Sequence, residues 1–207
     1  MHDARGGDER RGESAARAAV FKNRGALLAI PALALVAFGK PTKRSAASGL
    51  PIALAGELLR CWAVGYSGTT TRGDRVEAPR LATGGPYAHT RNPLYLGNVI
   101  TAAGFTIAFT GALDARARSV LFVAGIGTML AVYAAIVPHE EAFLDATFGD
   151  DYADYCVRVP RVGWRLKPAE FATGTWDASV IPEAESRTFV TFGAMLAALA
   201  VKAIARR

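Results

Sequence analysis

Several things are scarce in this sequence. There are only 2 cysteines in 207 residues, Cys61 and Cys156, and no C-x-x-C pair, so neither a zinc ribbon nor a redox couple is indicated. No P-loop and no G-x-S-x-G elbow occur. His139-Glu140 does not begin H-E-x-x-H, because Phe143 stands where the second histidine belongs. Gly125-Ile126-Gly127 lacks a third glycine and a preceding strand, so it reads as close helix packing, not a dinucleotide fingerprint. Charge itself is absent from two long stretches, Leu94–Gly111 and Ser119–Val137, each close to the roughly 20 residues that cross a bilayer.

What is present fits a lipid environment. The hydrophobic fraction is 51%, which excludes a disordered chain. Beyond the two charge-free stretches, apolar blocks occupy Gly25–Gly39, Ala46–Tyr66 and Thr188–Ala205. The expected fold class is therefore all-α, a polytopic membrane bundle of about five transmembrane helices with no Rossmann domain. Pro31 is tolerable in such a helix, and Pro138 is expected to end the fourth block. Residues 1–24 read as a flexible cytoplasmic tail with no signal-peptide core, so the first helix is expected to act as an uncleaved anchor. Residues 25–168 form the expected core, and 169–207 a loop followed by a C-terminal membrane helix.

The net charge is +6, but Lys and Arg flank apolar spans instead of forming a stripe interleaved with aromatics, which argues against nucleic-acid binding. The tail holds six of them, the loop after the second block four (Arg72, Arg75, Arg80, Arg91) and the segment after the fourth five (Arg158, Arg161, Arg165, Lys167, Arg187). The opposite side has three, two and three. The bias puts the N-terminus and both long polar segments in the cytoplasm.

Two polar stretches carry the reactive side chains. In Gly84–Gly97, two glycines and two prolines fix a path into a helix that starts at Pro93, where a missing N–H costs little. Free N–H groups there, with Arg91, suit a carboxylate; an ordinary loop touching lipid phosphate is the plainer alternative. In Pro138–Tyr155, apolar residues recur at helical spacing up to a break at Gly149, and Glu140 and Glu141 stand at the foot of the fourth block. They suit a cationic ligand group or a solvated acidic face. Glu57 and Arg60 share a helix face within an apolar block, as a functional pair or as a structural ion pair.

Gly85-Pro86-Tyr87, Arg91-Asn92-Pro93-Leu94-Tyr95-Leu96-Gly97, Glu140-Glu141, Phe148-Gly149, Tyr152, Tyr155 and Val159-Pro160-Arg161, in this order, resemble the isoprenylcysteine carboxyl methyltransferase family and its wider group of membrane phospholipid methyltransferases. Gly56-Glu57-Leu58-Leu59-Arg60 and Trp62-Ala63 resemble the preceding helix of bacterial members. The resemblance implies an S-adenosylmethionine-dependent methyltransferase of a bacterial inner membrane, with its active site cytoplasmic. It implies a lipophilic acceptor and no metal. Tyr87, His89, Arg91, Asn92, Pro93, Tyr95 and Gly97 would form one wall of the donor site, and Glu140 and Glu141 would meet the donor's amino group or ribose. Asn92 stands where eukaryotic members carry His. A carboxylate acceptor, with a pKa of about 4, needs no base; an amine would need one, with Glu141 or Tyr95 as candidates. Arg91, Glu141 and Tyr95 are thus the expected catalytic residues, with carboxylate O-methylation favoured. A sterol-reductase-type NADPH enzyme is the alternative, though His139–Tyr155 offers no Arg or Lys for phosphates. A non-catalytic membrane scaffold is the third reading.

Overall fold

The computed structural model describes residues 20, 23–68, 80–170 and 172–205. Most of the expected N-terminal tail, and Arg72 and Arg75 of the first polar loop, lie outside them. Among the described residues every regular element is helical: α1 Asn23–Phe38, α2 Lys43–Ser67, α3 Pro93–Phe109, α4 Ala115–Phe148, α5 Asp150–Arg158, α6 Ile181–Ala184 and α7 Ser186–Ile204. Single 3-10 turns cover Gly85–Ala88 and Ala178–Val180.

One end of the bundle is pinned by polar contacts. Thr42 caps α2 in a reciprocal box with Ser45, each backbone N–H reaching the other hydroxyl at 3.0 Å. Ser45 also donates to the Ala108 carbonyl at 2.8 Å, tying the start of α2 to the end of α3. Lys202, in the last turn of α7, donates to the carbonyls of Ala37 and Gly39. The polar segments 80–92, 149–170 and 172–185 therefore gather at the opposite end, with the start of α1.

Helices α2 and α3 pack through small residues. A Cβ on Gly104 would lie 2.7 Å from the Gly49 carbonyl oxygen, and one on Gly97 would lie 2.8 Å from that of Gly56. Such backbone approach is the usual way helices associate where lipid removes the hydrophobic drive. The close packing expected at Gly125 and Gly127 is not found. A Cβ on Gly125 would meet Pro31 at an ordinary 3.8 Å, and one on Gly127 would meet nothing. Leu35, Phe105, Phe109, Met195 and Leu199 join α1, α3 and α7 in one apolar cluster. Val132, Tyr133, Ile136 and Val137 of α4 form a second, against Leu27, Leu28, Tyr95 and Val99.

The expectation that Pro138 ends the fourth block is overturned: α4 runs unbroken from Ala115 through Pro138 to Phe148. Proline removes one backbone donor, a loss that packed membrane helices accommodate. The break comes at Gly149, whose φ of +53° only glycine adopts without strain.

Helices α4 and α7 are long and apolar enough to cross a membrane, and α1 and α3 are shorter apolar helices. Only 22% of the apolar window of α4 and 11% of that of α7 is buried within the protein. A core helix of a soluble protein hides most of such a surface, so the exposure of α4 and α7 is consistent with a membrane helical bundle.

Candidate functional site

The turn Gly85–Ala88 starts where the chain is squeezed between α2 and a later segment. Gly85 has φ +57°, and the Tyr66 ring leaves no room for a Cβ there. On its other side, 159–170 runs past the turn as a strap held by backbone bonds. Arg91 N–H donates to the Pro160 carbonyl at 2.9 Å, Arg165 N–H to His89 at 3.0 Å and Ala169 N–H to Ala88 at 3.1 Å. Tyr155 donates its hydroxyl to the Tyr87 carbonyl at 2.9 Å. These contacts bring the two polar stretches together, and Pro93 takes the first position of α3 as expected.

Arg91 and Glu141 meet inside this junction. Arg91 Nε lies 3.5 Å from Glu141 Oε1, with both side chains largely buried. Neither of these two atoms makes a hydrogen bond among the described residues. Glu141 Oε2 accepts from the half-exposed Arg161, and that contact raises the Arg161 pKa. Arg91 Nη1 also reaches the Cys156 sulfur. One turn away, Tyr95 donates to Glu140 Oε1 at 2.6 Å.

A second polar chain extends the first inward. Arg60 Nη1 donates to Asn98 Oδ1 at 2.6 Å, and Asn98 Nδ2 donates to the Tyr133 hydroxyl at 2.8 Å. The Tyr133 ring lies 4.3 Å from that of Tyr95. Arg60 Nη2 grips both oxygens of Glu185 at 2.8 Å, so the structure places Arg60 in an ion pair with a residue far along the chain.

Arg60, Asn98 and Tyr133, with the Arg91–Glu141 junction, line a cavity of about 990 Å³. Tyr87, Arg91, Asn92, Pro93, Tyr95, Glu140 and Glu141 line its polar end. Its apolar arm runs along Leu28 and Val36 of α1, Phe105 of α3, Met129 of α4, and Phe192 and Met195 of α7.

Two of the expected wall residues do not reach the cavity. His89 stacks on Trp164 with ring centroids 4.5 Å apart, and its Nδ1 bonds the Arg165 carbonyl at 2.7 Å. Gly97 faces α2, where a Cβ would meet the Arg60 side chain. The residues of this polar chain that sequence reasoning missed are Asn98, Tyr133 and Glu185. Only Asn98 carried a signal, as an amide inside an apolar helix.

Burial pushes the Tyr87 hydroxyl up to about 12 and raises those of Tyr152 and Tyr155 as well. These phenols stay protonated at neutral pH, so none of them is a base there.

The phospholipid methyltransferase family model matches residues 46–151. The chain is 30% identical over 116 residues to "Protein-S-isoprenylcysteine O-methyltransferase B" of Arabidopsis thaliana, a match that covers 54% of this chain and 55% of that protein. The chain thus spans about half the length of the curated relative it matches. No solved structure matches.

Proposed function

The chain belongs to the phospholipid methyltransferase family, and from that premise we propose that it is a membrane methyltransferase using S-adenosylmethionine on a lipophilic acceptor. The observation that carries the reading is the Arg91–Glu141 junction at the polar end of a cavity with an apolar arm. The residues fit the donor's amino-acid end. Buried Glu141 Oε1 and buried Arg91 Nε face each other at 3.5 Å, and neither atom makes a hydrogen bond among the described residues. An ammonium at Glu141 and a carboxylate at Arg91 would satisfy both. Tyr87, Asn92, Pro93 and Tyr95, with Glu140, would close around the remainder.

When bound, S-adenosylmethionine supplies an electrophilic methyl group on a sulfonium. The chain's own part is to hold donor and acceptor in line and to keep water out, which favours a displacement that needs alignment more than proton transfer. Methylation of a carboxylate is the favoured course. Both candidate bases are engaged: Glu141 Oε2 by Arg161, and Tyr95 as a hydrogen-bond donor to Glu140. An amine acceptor would require one of these contacts to break first. The apolar arm between α1 and α7 supports an acceptor with a hydrocarbon tail.

The further reading is a multi-pass bundle of five crossings in a bacterial inner membrane, with residues 25–168 as its core and the N-terminus and cavity on the cytoplasmic side. The Lys and Arg distribution supports that side.

The test is a mass-spectrometric comparison of lipid extracts and membrane-protein digests from cells with and without the protein. A species heavier by one methylene, dependent on the protein and lost in Glu141→Gln, is expected. Its absence under donor-replete conditions would refute the proposal.

A further inference from the structure

The stretch 157–168, VRVPRVGWRLKP, holds the site's turn through Pro160, Arg161, the Trp164 ring and the Arg165 backbone, and it buries Val159. Its other aliphatic side chains face outward. Val157, Val162 and Leu166 are 86%, 84% and 94% exposed, three large aliphatic side chains gathered on one short stretch. Between them stand Arg158, Arg161, Arg165 and Lys167, and the stretch contains no acidic residue. The nearest carboxylate partners are off the stretch: Asp154 pairs with Arg158 at 3.8 Å, and Glu141 takes Arg161.

The position of the strap explains the composition. Trp164 lies 6.4 Å, centroid to centroid, from Trp62 near the end of α2. The two tryptophans flank an outward apolar groove of about 530 Å³ completed by Leu58, Leu59, Leu96 and Ile100. Leu58 of α2 is 60% exposed at this groove. Tryptophans at that level mark a membrane boundary, where Arg and Lys bury their stems and extend their charges to headgroups. We infer that 157–168 is a membrane-interface site that binds anionic phospholipid headgroups, with Val162, Trp164 and Leu166 entering the acyl boundary and Arg165 and Lys167 meeting the phosphates. Charge complementarity selects the occupant: a zwitterionic headgroup offers a phosphate already neutralised by its own cation, whereas an anionic one offers net negative charge to Arg165 and Lys167. The inference goes beyond the proposed reaction and does not depend on it.

The experiment is amide hydrogen exchange over 157–168 in the full chain, in nanodiscs of phosphatidylcholine alone and of phosphatidylcholine with phosphatidylglycerol. Exchange is expected to be at least about fivefold slower in the anionic discs, with the difference shrinking at high salt. Two double variants test the parts separately. Arg165→Gln with Lys167→Gln should remove the dependence on phosphatidylglycerol, and Val162→Ser with Leu166→Ser should raise exchange in both discs. The serine changes touch side chains that pack against little, so the bundle should be unaffected. Equal exchange in the two kinds of disc, or anionic protection that survives the loss of Arg165 and Lys167, overturns the inference. The readout needs neither donor binding nor methyl transfer, so its failure is distinguishable from failure of the proposed function.

Discussion

Arg60 and Glu185 are 125 positions apart in sequence, yet Arg60 Nη2 lies 2.8 Å from both Glu185 oxygens, with side chains 9% and 1% exposed. This is the polar tie between α2 and the start of α7. Removing one partner leaves a buried charge. Glu185→Ala should destabilise the protein by about 3–5 kcal/mol, read as a fall in the thermal unfolding midpoint in detergent. The double change Arg60→Met with Glu185→Leu should cost far less, since it strands no charge. Equal losses in the two would contradict this account of the tie.

The glycine seam between α2 and α3 makes a contrasting pair of variants. Gly104→Ala would press a methyl into the backbone of Ala53 and the carbonyl of Gly49, and should cost about 1–3 kcal/mol. Gly127→Ala meets nothing and sits inside a helix, so it should be neutral or stabilising by up to about 1 kcal/mol. Unfolding midpoints of the two variants in the same detergent check the difference.

Alkaline pH should expose the buried phenol of Tyr87. Burial raises its pKa to about 12, against about 10 in an unfolded chain. Below pH 10 the group is protonated in both states and stability is unaffected. Between about pH 10 and 12 the unfolded chain loses the proton first, so stability falls as pH rises. Tyr87→Phe should flatten that part of the profile, measured as unfolding midpoint against pH. An unchanged slope would show that Tyr87 is not the group responsible.

Much of this molecule could be read from sequence because its signals are local. Charge-free blocks placed α3 and most of α4, and Pro93 marked the start of α3. The meeting of Arg91 with Glu141 was also legible, since a helical hairpin must return its ends to one side. Pro138 misled because its cost depends on the packing around it, which periodicity does not show. Glu185 was invisible as the partner of Arg60, because nothing in a single carboxylate before a helix specifies a guanidinium so distant in sequence. His89 was misplaced for a similar reason. Its neighbour Trp164 arrives on the strap, through backbone bonds that carry no side-chain pattern.

The central claim is that Arg91 and Glu141 together hold the methyl donor. It is tested most directly by titrating the purified full chain, and the variants Arg91→Ala and Glu141→Gln, with S-adenosylmethionine while following helical content by circular dichroism. The account predicts saturable binding to the parent chain, at least about tenfold weaker binding to each variant, equivalent to about 1.4 kcal/mol, and unchanged helical content. Variants that bind the donor as tightly as the parent, or a folded parent that does not bind it, would contradict the account.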